Sequence, residues 1–235
     1  TTVVTATSKA VRSYTTSRDA TTPHPFADLD PKRTALIVID MQNGYMREDV
    51  GHSAVKMAAE IVPTLNRLAA SVRQAGGGVF WVQNATTEES RREWSVLEEQ
   101  ASPERRAARI RSVSPGTEGH EFWSGLDIRP QDKIVPKYRY SAFIDGASDL
   151  EIQLRAEGYD TLLITGTLTN VCCEFSARDA MMLNFRTIMV SDGNVAMTDE
   201  EHAASLISFY LAFGDVMTSK EVESSLARGR LQGAA

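Results

Sequence analysis

Three side chains with the chemistry of a nucleophilic site each follow a short apolar run of the sequence. Asp40 comes directly after ALIVI, Lys137 follows KIV with one proline between, and Cys172 follows LLIT and a glycine-containing turn. A thiol can attack a carbonyl carbon, a carboxylate can take the thiol proton, and an ammonium group can stabilise either anion. The three residues therefore predict covalent catalysis if the fold brings them together.

Cys172 is predicted to lie in the first turn of a helix. The stretch TLLITGTLTNVCCEFSARDA is typical of a strand, a turn and a helix, with Thr169 or Asn170 as the expected helix cap. Unpaired N–H groups and the positive end of the helix dipole predict a lowered pKa for this thiol, and the same N–H groups could stabilise an oxyanion. Two alternatives stay open. A free cysteine is often only a small buried hydrophobic residue, and periodicity does not choose between Cys172 and Cys173, which point about 100° apart on a helix.

Asp40 and Lys137 also have structural interpretations. A carboxylate after an apolar strand can be a capping or loop residue, and most lysines are solvated surface groups. In parallel sheets, however, ligands bind at the carboxyl ends of the strands. Lys137 is followed by three aromatic residues within KYRYSAF, and a lysine held against an apolar wall can stabilise a thiolate or a carboxylate.

The elements that would position these residues alternate regularly between strand and helix. Short apolar runs rich in β-branched residues predict buried strands, and the longer segments between them have helical periodicity. Repeated βα units predict a three-layer α/β/α sandwich around a mostly parallel, six-stranded sheet. The predicted strands are 35–39, 78–83, 133–135, 161–165, 187–191 and 215–217. The predicted helices are 53–75, 150–157, 170–184, 199–213 and 219–228.

The length of 235 residues favours one α/β domain. Residues 1–30, rich in threonine and without a sustained period, are predicted to form an N-terminal arm, and residues 31–235 a single domain. Within that domain, 85–130 is a charged, partly helical excursion that is expected to cover a site.

Composition and charge exclude some partners. The formal net charge is −6 and no stretch approaches the roughly 18 apolar residues of a membrane span, so neither nucleic acid nor membrane is an expected partner. An arginine cluster in the excursion follows several glutamates and is interpreted as a solvated helix face; its members are Arg105, Arg106, Arg109 and Arg111.

The two cysteines are adjacent, which disfavours a structural disulfide, and residues 1–28 lack an apolar signal segment. A cytoplasmic location is expected.

Three segments in the right order resemble the isochorismatase-like cysteine hydrolases, over residues 34 to about 223. They are the Asp-x-Gln that begins at Asp40, the Pro-Lys that ends at Lys137, and the Gly-x-x-Thr-x-x-Cys from Gly166 to Cys172. The resemblance selects Cys172 as the nucleophile and leaves Cys173 at a position that the family usually fills with an apolar residue.

The resemblance also implies a mechanism. Asp40 is the general base and then the acid, Lys137 stabilises the charges, and Cys172 forms a thioester with the substrate. A cis peptide between Thr167 and Leu168 is implied, with the backbone N–H groups of Leu168 and Cys172 forming the oxyanion hole. The implied reaction is hydrolysis of a C–N bond in a small amide, ureido or N-carbamoyl compound.

Cofactor, substrate and assembly are less specific. Nicotinamidases of the family bind a metal through an Asp-x-His and a further histidine, whereas Asp49 and His52 have a different spacing, so neither a metal nor another cofactor is expected. VQNATT and PKYRYSAF are similar to segments of ureidoacrylate amidohydrolases, which makes Gln83, Asn84 and Tyr140 candidate substrate contacts, although each could equally be a structural hydrogen-bonding residue. A small-molecule substrate and a homodimer or homotetramer are expected. The alternatives are vinyl-ether hydrolysis of isochorismate and a non-catalytic redox or binding protein that uses the vicinal cysteines.

Overall fold

Six parallel strands form the centre of the fold. In the computed structural model, which describes residues 24–232, every neighbouring pair of strands in the sheet is parallel. The spatial order is β3-β2-β1-β4-β5-β6, so β3 is an edge strand, which accommodates Pro136 because an edge position does not require its missing N–H. The strands are β1 (Thr34–Ile39), β2 (Gly78–Asn84), β3 (Lys133–Lys137), β4 (Thr161–Thr167), β5 (Arg186–Val195) and β6 (Asp215–Met217).

Helices cover both faces of this sheet. They are α1 (Asn43–Met46), α2 (Ala58–Ala75), α3 (Glu88–Glu93), α4 (Ser95–Gln100), α5 (Pro103–Val113), α6 (Leu150–Ala156), α7 (Glu174–Met182), α8 (Asp199–Ala212) and α9 (Ser219–Gln232). Alternate β1 side chains enter different cores: Leu36 packs with residues of α2 and α9, and Ile37 packs with residues of α6, α7 and α8. The predicted three-layer α/β/α sandwich is therefore confirmed.

Two helix predictions were wrong at their starts. The helix predicted from residue 53 begins at Ala58, because the Val55 N–H donates to the Tyr45 carbonyl at 2.8 Å and Val55 is buried outside the helix. The helix predicted over 170–184 is preceded by a π-helical turn, Thr169–Cys173, and is α-helical only over Glu174–Met182. It ends before Asn184, whose φ of 68° is left-handed.

The excursion at 85–130 contains α3, α4 and α5 and lies over the carboxyl edge of the sheet. Backbone hydrogen bonds attach it there: Asn43 N–H donates to the Glu121 carbonyl at 2.9 Å, and Gly44 N–H donates to the Gly119 carbonyl at 2.7 Å. Ala85 N–H also donates to the Lys137 carbonyl at 2.9 Å. This segment therefore roofs the strand ends that carry the candidate site.

The predicted N-terminal arm is described only from residue 24. Residues 1–23 lie outside the described part of the chain. Within 24–30, His24 pairs with Asp215 at 3.1 Å, and Leu29 is buried in the core beside α2 and α9. None of the helices formed by the described residues combines the length and the apolar composition needed to span a bilayer.

Candidate active site

Asp40, Lys137 and Cys172 meet at the carboxyl edge of the sheet. The Lys137 Nζ lies 2.7 Å from Asp40 Oδ2 and 3.6 Å from Cys172 Sγ, and it also donates to the Arg139 carbonyl at 3.1 Å. Asp40 follows β1, Lys137 ends β3 and Cys172 follows β4. Parallel pairing brings these three strand ends to one edge of the sheet. Asp40 and Cys172, which are separated from Lys137 by 97 and 35 positions in the sequence, therefore become its neighbours.

The three groups are almost completely removed from water. The side chains of Lys137 and Asp40 are 0% and 1% exposed. Burial raises the pKa of Asp40, and the nearby Lys137 ammonium only partly offsets that effect. Burial opposes the charge on Lys137, but Asp40 and Cys172 outweigh it and raise its pKa. Asp40 and Lys137 therefore lie at ion-pair distance beside a thiol whose neutral form is favoured.

The expected low pKa of Cys172 is wrong for this environment. Burial raises the pKa of the thiol, and the attraction of Lys137 is too weak to reverse that shift. The capping prediction is also wrong: the π-turn has no side-chain cap, and Thr169 Oγ1 instead bonds to His202 Nδ1 at 2.8 Å. The thiol therefore needs a base to remove its proton, and the Asp40 carboxyl interacts with it directly.

Tertiary contacts support the π-turn. The His202 side chain is buried on α8, and Ser205 Oγ, one turn later, donates to the Thr169 carbonyl at 3.3 Å. Sequence reasoning missed both α8 residues, because nothing in their local pattern indicates that they contact the cysteine turn.

The strand end before Cys172 approaches β1 closely. Gly166 has a φ of +116°, and a Cβ built there would lie 2.1 Å from the Ile39 carbonyl oxygen. Only glycine fits this position. The peptide bond between Thr167 and Leu168 is cis, as the resemblance implied.

Cys173 differs from its neighbour in its surroundings. Its side chain is completely buried in the core beside α7, and its Sγ lies 3.7 Å from the Thr165 carbonyl oxygen. Both cysteines are free thiols. Burial raises the pKa of Cys173 well above its ordinary value, which is the behaviour of a buried core thiol.

The candidate substrate contacts divide into two groups. Gln83 Nε2 donates to the His120 carbonyl at 2.8 Å, so this side chain holds the excursion on the sheet. Asn84 and Tyr140 line a cavity beneath the excursion, and the Asn84 amide also donates to the Tyr45 hydroxyl. The role of these residues as substrate contacts stays a prediction.

Sequence reasoning missed Tyr45 and misinterpreted Arg109. Tyr45 lines the cavity, and after burial the charges of Asp40 and Cys172 contribute most to raising its pKa. Its position five residues after Asp40, within TALIVIDMQNGYM, was the available signal. Arg109 also lines the cavity with its side chain only 13% exposed, so the interpretation of the arginine cluster as a solvated face is wrong for this residue.

Asp49 and His52 are engaged separately. Asp49 accepts from Arg47 Nε at 2.9 Å, and the His52 ring packs edge-to-face on Tyr45 at 5.3 Å between centroids. Within residues 24–232 no group of three histidine, cysteine or acidic side chains is arranged to hold a metal ion.

A parallel sheet between two helical layers, with an acid, a lysine and a thiol at its carboxyl edge, makes this an α/β/α protein with a candidate nucleophilic site where such folds bind their ligands. The chain belongs to the isochorismatase family, because that family's Isochorismatase domain matches residues 34–221.

Relatives whose names state an activity are similar over most of their length. The chain is 30% identical over 219 residues to the ureidoacrylate amidohydrolase RutB of Caulobacter vibrioides, covering 88% of this chain and 96% of that protein. A crystal structure of a cysteine hydrolase from Pseudomonas syringae pv. phaseolicola has a TM-score of 0.74 and 28% identity, covering 86% of this chain and 96% of the other. The N-carbamoylsarcosine amidase of Thermoplasma acidophilum has a TM-score of 0.64 and 26% identity, covering 80% and 96%.

Proposed function

We propose that the protein is a cysteine-dependent amidohydrolase that cleaves a C–N bond in a small amide, ureido or N-carbamoyl compound. The observation that carries this proposal is the contact of Lys137 with both Asp40 and Cys172 in a site shielded from water. A thiol, a carboxylate and an ammonium group in contact are the components required for covalent acyl transfer. The ureidoacrylate and N-carbamoylsarcosine relatives support this class of substrate.

The first half-reaction acylates Cys172. The Asp40 Oδ1 oxygen has no hydrogen-bond partner among the described residues and is the acceptor for the thiol proton. Cys172 Sγ attacks the substrate carbonyl carbon as that proton moves to Asp40, and the carbonyl π electrons move to oxygen. The backbone N–H groups of Leu168 and Cys172 stabilise the oxyanion, and Lys137 stabilises the developing charge on sulfur.

Collapse of the tetrahedral intermediate, in which the oxyanion electrons re-form the carbonyl, completes the acylation, and hydrolysis of the thioester in the second half-reaction then restores the enzyme. Protonated Asp40 donates its proton to the leaving nitrogen as the C–N bond breaks, which leaves a thioester and an ionised carboxylate. Asp40 then takes a proton from water, the hydroxide oxygen attacks the thioester, and the C–S bond breaks with return of the proton to sulfur. The net change is the addition of one water molecule across the C–N bond.

The test compares the two adjacent cysteines. Cys172→Ala is expected to abolish ammonia or amine release from a panel of primary amides, monosubstituted ureas and N-carbamoyl amino acids. Cys173→Ala, the matched control, is expected to keep most of the turnover because that sulfur lies in the core. Mass spectrometry of wild-type protein quenched during turnover is expected to detect an acyl adduct on Cys172.

Three results would contradict the proposal. Full turnover by Cys172→Ala would remove the nucleophile from the mechanism. If the wild type hydrolysed none of these compounds and Cys173→Ala abolished its redox or binding function, the vicinal-cysteine redox protein would be favoured. Pyruvate release from isochorismate without amide cleavage would favour the vinyl-ether hydrolase.

A further inference from the structure

Two side chains of α8 hold the turn that carries Cys172. His202 Nδ1 lies 2.8 Å from Thr169 Oγ1, and Ser205 Oγ donates to the Thr169 carbonyl at 3.3 Å. His202 and Ser205 are three positions apart, so they share a face of α8. One residue of the π-turn is thus held through both its side chain and its backbone by side chains 33 and 36 positions away in the sequence.

The residue that α8 holds lies between the two proposed oxyanion donors. Thr169 directly follows Leu168 and precedes Cys172 by three residues, and its side chain is completely buried. The Leu168 carbonyl accepts from Cys173 N–H at 3.1 Å, so the turn closes back on the residue before Thr169. A rotation of the Thr169 backbone would therefore change the direction of one proposed donor relative to the other.

A π-helical turn is a conformation that needs support from its surroundings. Such turns are rare and are found mostly as single turns at functional sites. In this turn Glu174 N–H donates to the Thr169 carbonyl, and no side chain caps its first residue. The contacts from α8 supply the hydrogen bonds that a local cap would otherwise make.

The protonation state of His202 sets the direction of its hydrogen bond. Burial lowers the pKa of His202, so the ring is neutral near neutral pH and has one N–H donor and one acceptor nitrogen. The Ser191 carbonyl of β5 interacts with the ring and favours an N–H directed at it. Nδ1 is then the acceptor, and the Thr169 hydroxyl donates to it. The imidazole therefore links β5 to the turn that carries Cys172.

We propose that His202, acting through the Thr169 hydroxyl, is a positioning residue that sets the orientation of the turn carrying Cys172. The inference rests on the proposed amidohydrolase function and gives helix α8 a part in that reaction. Misplacement of a reacting group by about 1 Å can lower a rate on the order of 100-fold, and loss of one oxyanion donor has an effect of at least that size. Loss of this hydrogen bond should therefore lower kcat more than it changes KM.

The test removes either partner of the hydrogen bond. Thr169→Val and His202→Leu are expected to lower kcat on the order of 10- to 100-fold and to change KM by less than about threefold. Thr165→Val is the matched control, because the buried Thr165 hydroxyl donates to the Ile37 carbonyl at 2.9 Å and not to the turn. This variant also loses a buried hydrogen bond, yet its kcat should stay within about threefold of the wild-type value.

Conservative variants distinguish positioning from general damage to the fold. Thr169→Ser keeps the hydroxyl, and His202→Asn places an amide near the position of Nδ1, so both should keep more of the wild-type kcat than Thr169→Val and His202→Leu. His202→Gln places its amide near Nε2 instead and should lose as much kcat as His202→Leu. The double variant His202→Leu/Thr169→Val should have about the kcat of the weaker single variant, because both changes remove the same bond.

Several results would overturn the positioning role. They are a kcat for Thr169→Val or His202→Leu within about threefold of the wild-type value, an equal loss in Thr165→Val, and additive losses in the double variant. If Thr169→Val and His202→Leu fail to fold, the comparison of His202→Asn with His202→Gln still decides, and equal kcat values for that pair would overturn the role.

A binding measurement that needs no turnover separates this inference from the proposed function. An aldehyde adds reversibly to a thiol: Cys172 Sγ bonds to the carbonyl carbon, the thiol proton passes to the carbonyl oxygen, and that oxygen takes the place of the oxyanion. The adduct of isotopically labelled acetaldehyde, detected by its carbon resonance and absent in Cys172→Ala, is expected to be at least tenfold weaker in His202→Leu than in the wild type or Thr165→Val.

The outcomes of the two measurements are distinct. If this binding pattern appears but no amide is hydrolysed, the positioning role stands and the amidohydrolase proposal fails. If amides are hydrolysed and His202→Leu keeps the wild-type kcat, the positioning role fails and the amidohydrolase proposal stands. Absence of both the adduct and turnover in the wild type would overturn both.

Discussion

Removal of the Lys137 ammonium should destabilise the fold through the charge that it leaves behind. At an effective dielectric constant of about 20, attraction across the 2.7 Å contact with Asp40 is roughly 6 kcal/mol. Desolvation costs several kcal/mol for each ion, so the intact pair contributes little net stability. Lys137→Met keeps the desolvation cost of Asp40 and loses the attraction, and the free energy of unfolding should fall by about 3–5 kcal/mol.

Urea denaturation at neutral pH, with the midpoint and slope fitted separately, measures this effect. The double variant Asp40→Asn/Lys137→Met removes both charges and should be more stable than Lys137→Met by about 2 kcal/mol or more. Lys133→Met is the control on the same strand. Lys133 is 48% exposed and pairs with Glu157 at 3.2 Å, so its loss should cost less than about 1 kcal/mol.

The pH dependence gives a second check on the same reasoning. In Lys137→Met the unpaired Asp40 carboxyl would have a raised pKa in the folded state. The loss in free energy of unfolding relative to wild type should therefore grow as pH rises and shrink as the carboxyl is protonated. A Lys137→Met variant no less stable than Lys133→Met, or a double variant no more stable than the single one, would refute the idea that Asp40 is a buried charge held by Lys137.

Three further measurements test other parts of the structure. Burial raises the pKa of Asp40. When kcat/KM is followed between about pH 4 and 9, it should therefore fall on the acid side with a midpoint above the ordinary carboxyl value of 3.8. A midpoint at or below that value would contradict a buried base. Hydrogen bonding to Asp215 and Glu221 raises the pKa of His24 from 6.5 to about 9. The stability difference between wild type and His24→Ala should therefore be greatest below pH 6.5 and disappear as pH rises through about 9. A difference independent of pH would argue against this pairing. Gly166→Ala would place a Cβ 2.1 Å from the Ile39 carbonyl oxygen and should lower the free energy of unfolding by about 2 kcal/mol or more. Gly146 has a φ of +71° and open space around it, so Gly146→Ala should lower it by about 1–2 kcal/mol. Equal unfolding midpoints for the two variants would exclude the close approach.

Most of the fold could be predicted from local patterns. The apolar runs at 35–39 and 161–165 lie inside β1 and β4, because strands buried on both faces require continuous apolar sequence. Helix boundaries were less predictable where tertiary contacts decide them. The start of α2 at Ala58 depends on the Val55 bond to Tyr45, and the π-turn before Glu174 is a local departure that helical periodicity does not reveal.

The site divides in the same way. The residue types and spacings around Asp40 and Lys137 indicate two of the three groups, and the family resemblance selects Cys172 over Cys173 as the third. The ionisation of the thiol could not be predicted, because the sequence indicates the helix start but not the depth of burial, and burial outweighs the local electrostatic terms.

The sequence by itself indicated which side chains are candidates for the chemistry and which strand ends hold them, because both are short-range properties of residue type and hydrophobic pattern. Only the tertiary structure decided how the charges are shared. The sequence pattern predicts a solvated helix face for Arg109, yet packing of the excursion against the sheet leaves its side chain only 13% exposed beside Tyr140. Burial and electrostatic interaction depend on distances between segments far apart in the chain, and such distances exist only once the chain has folded.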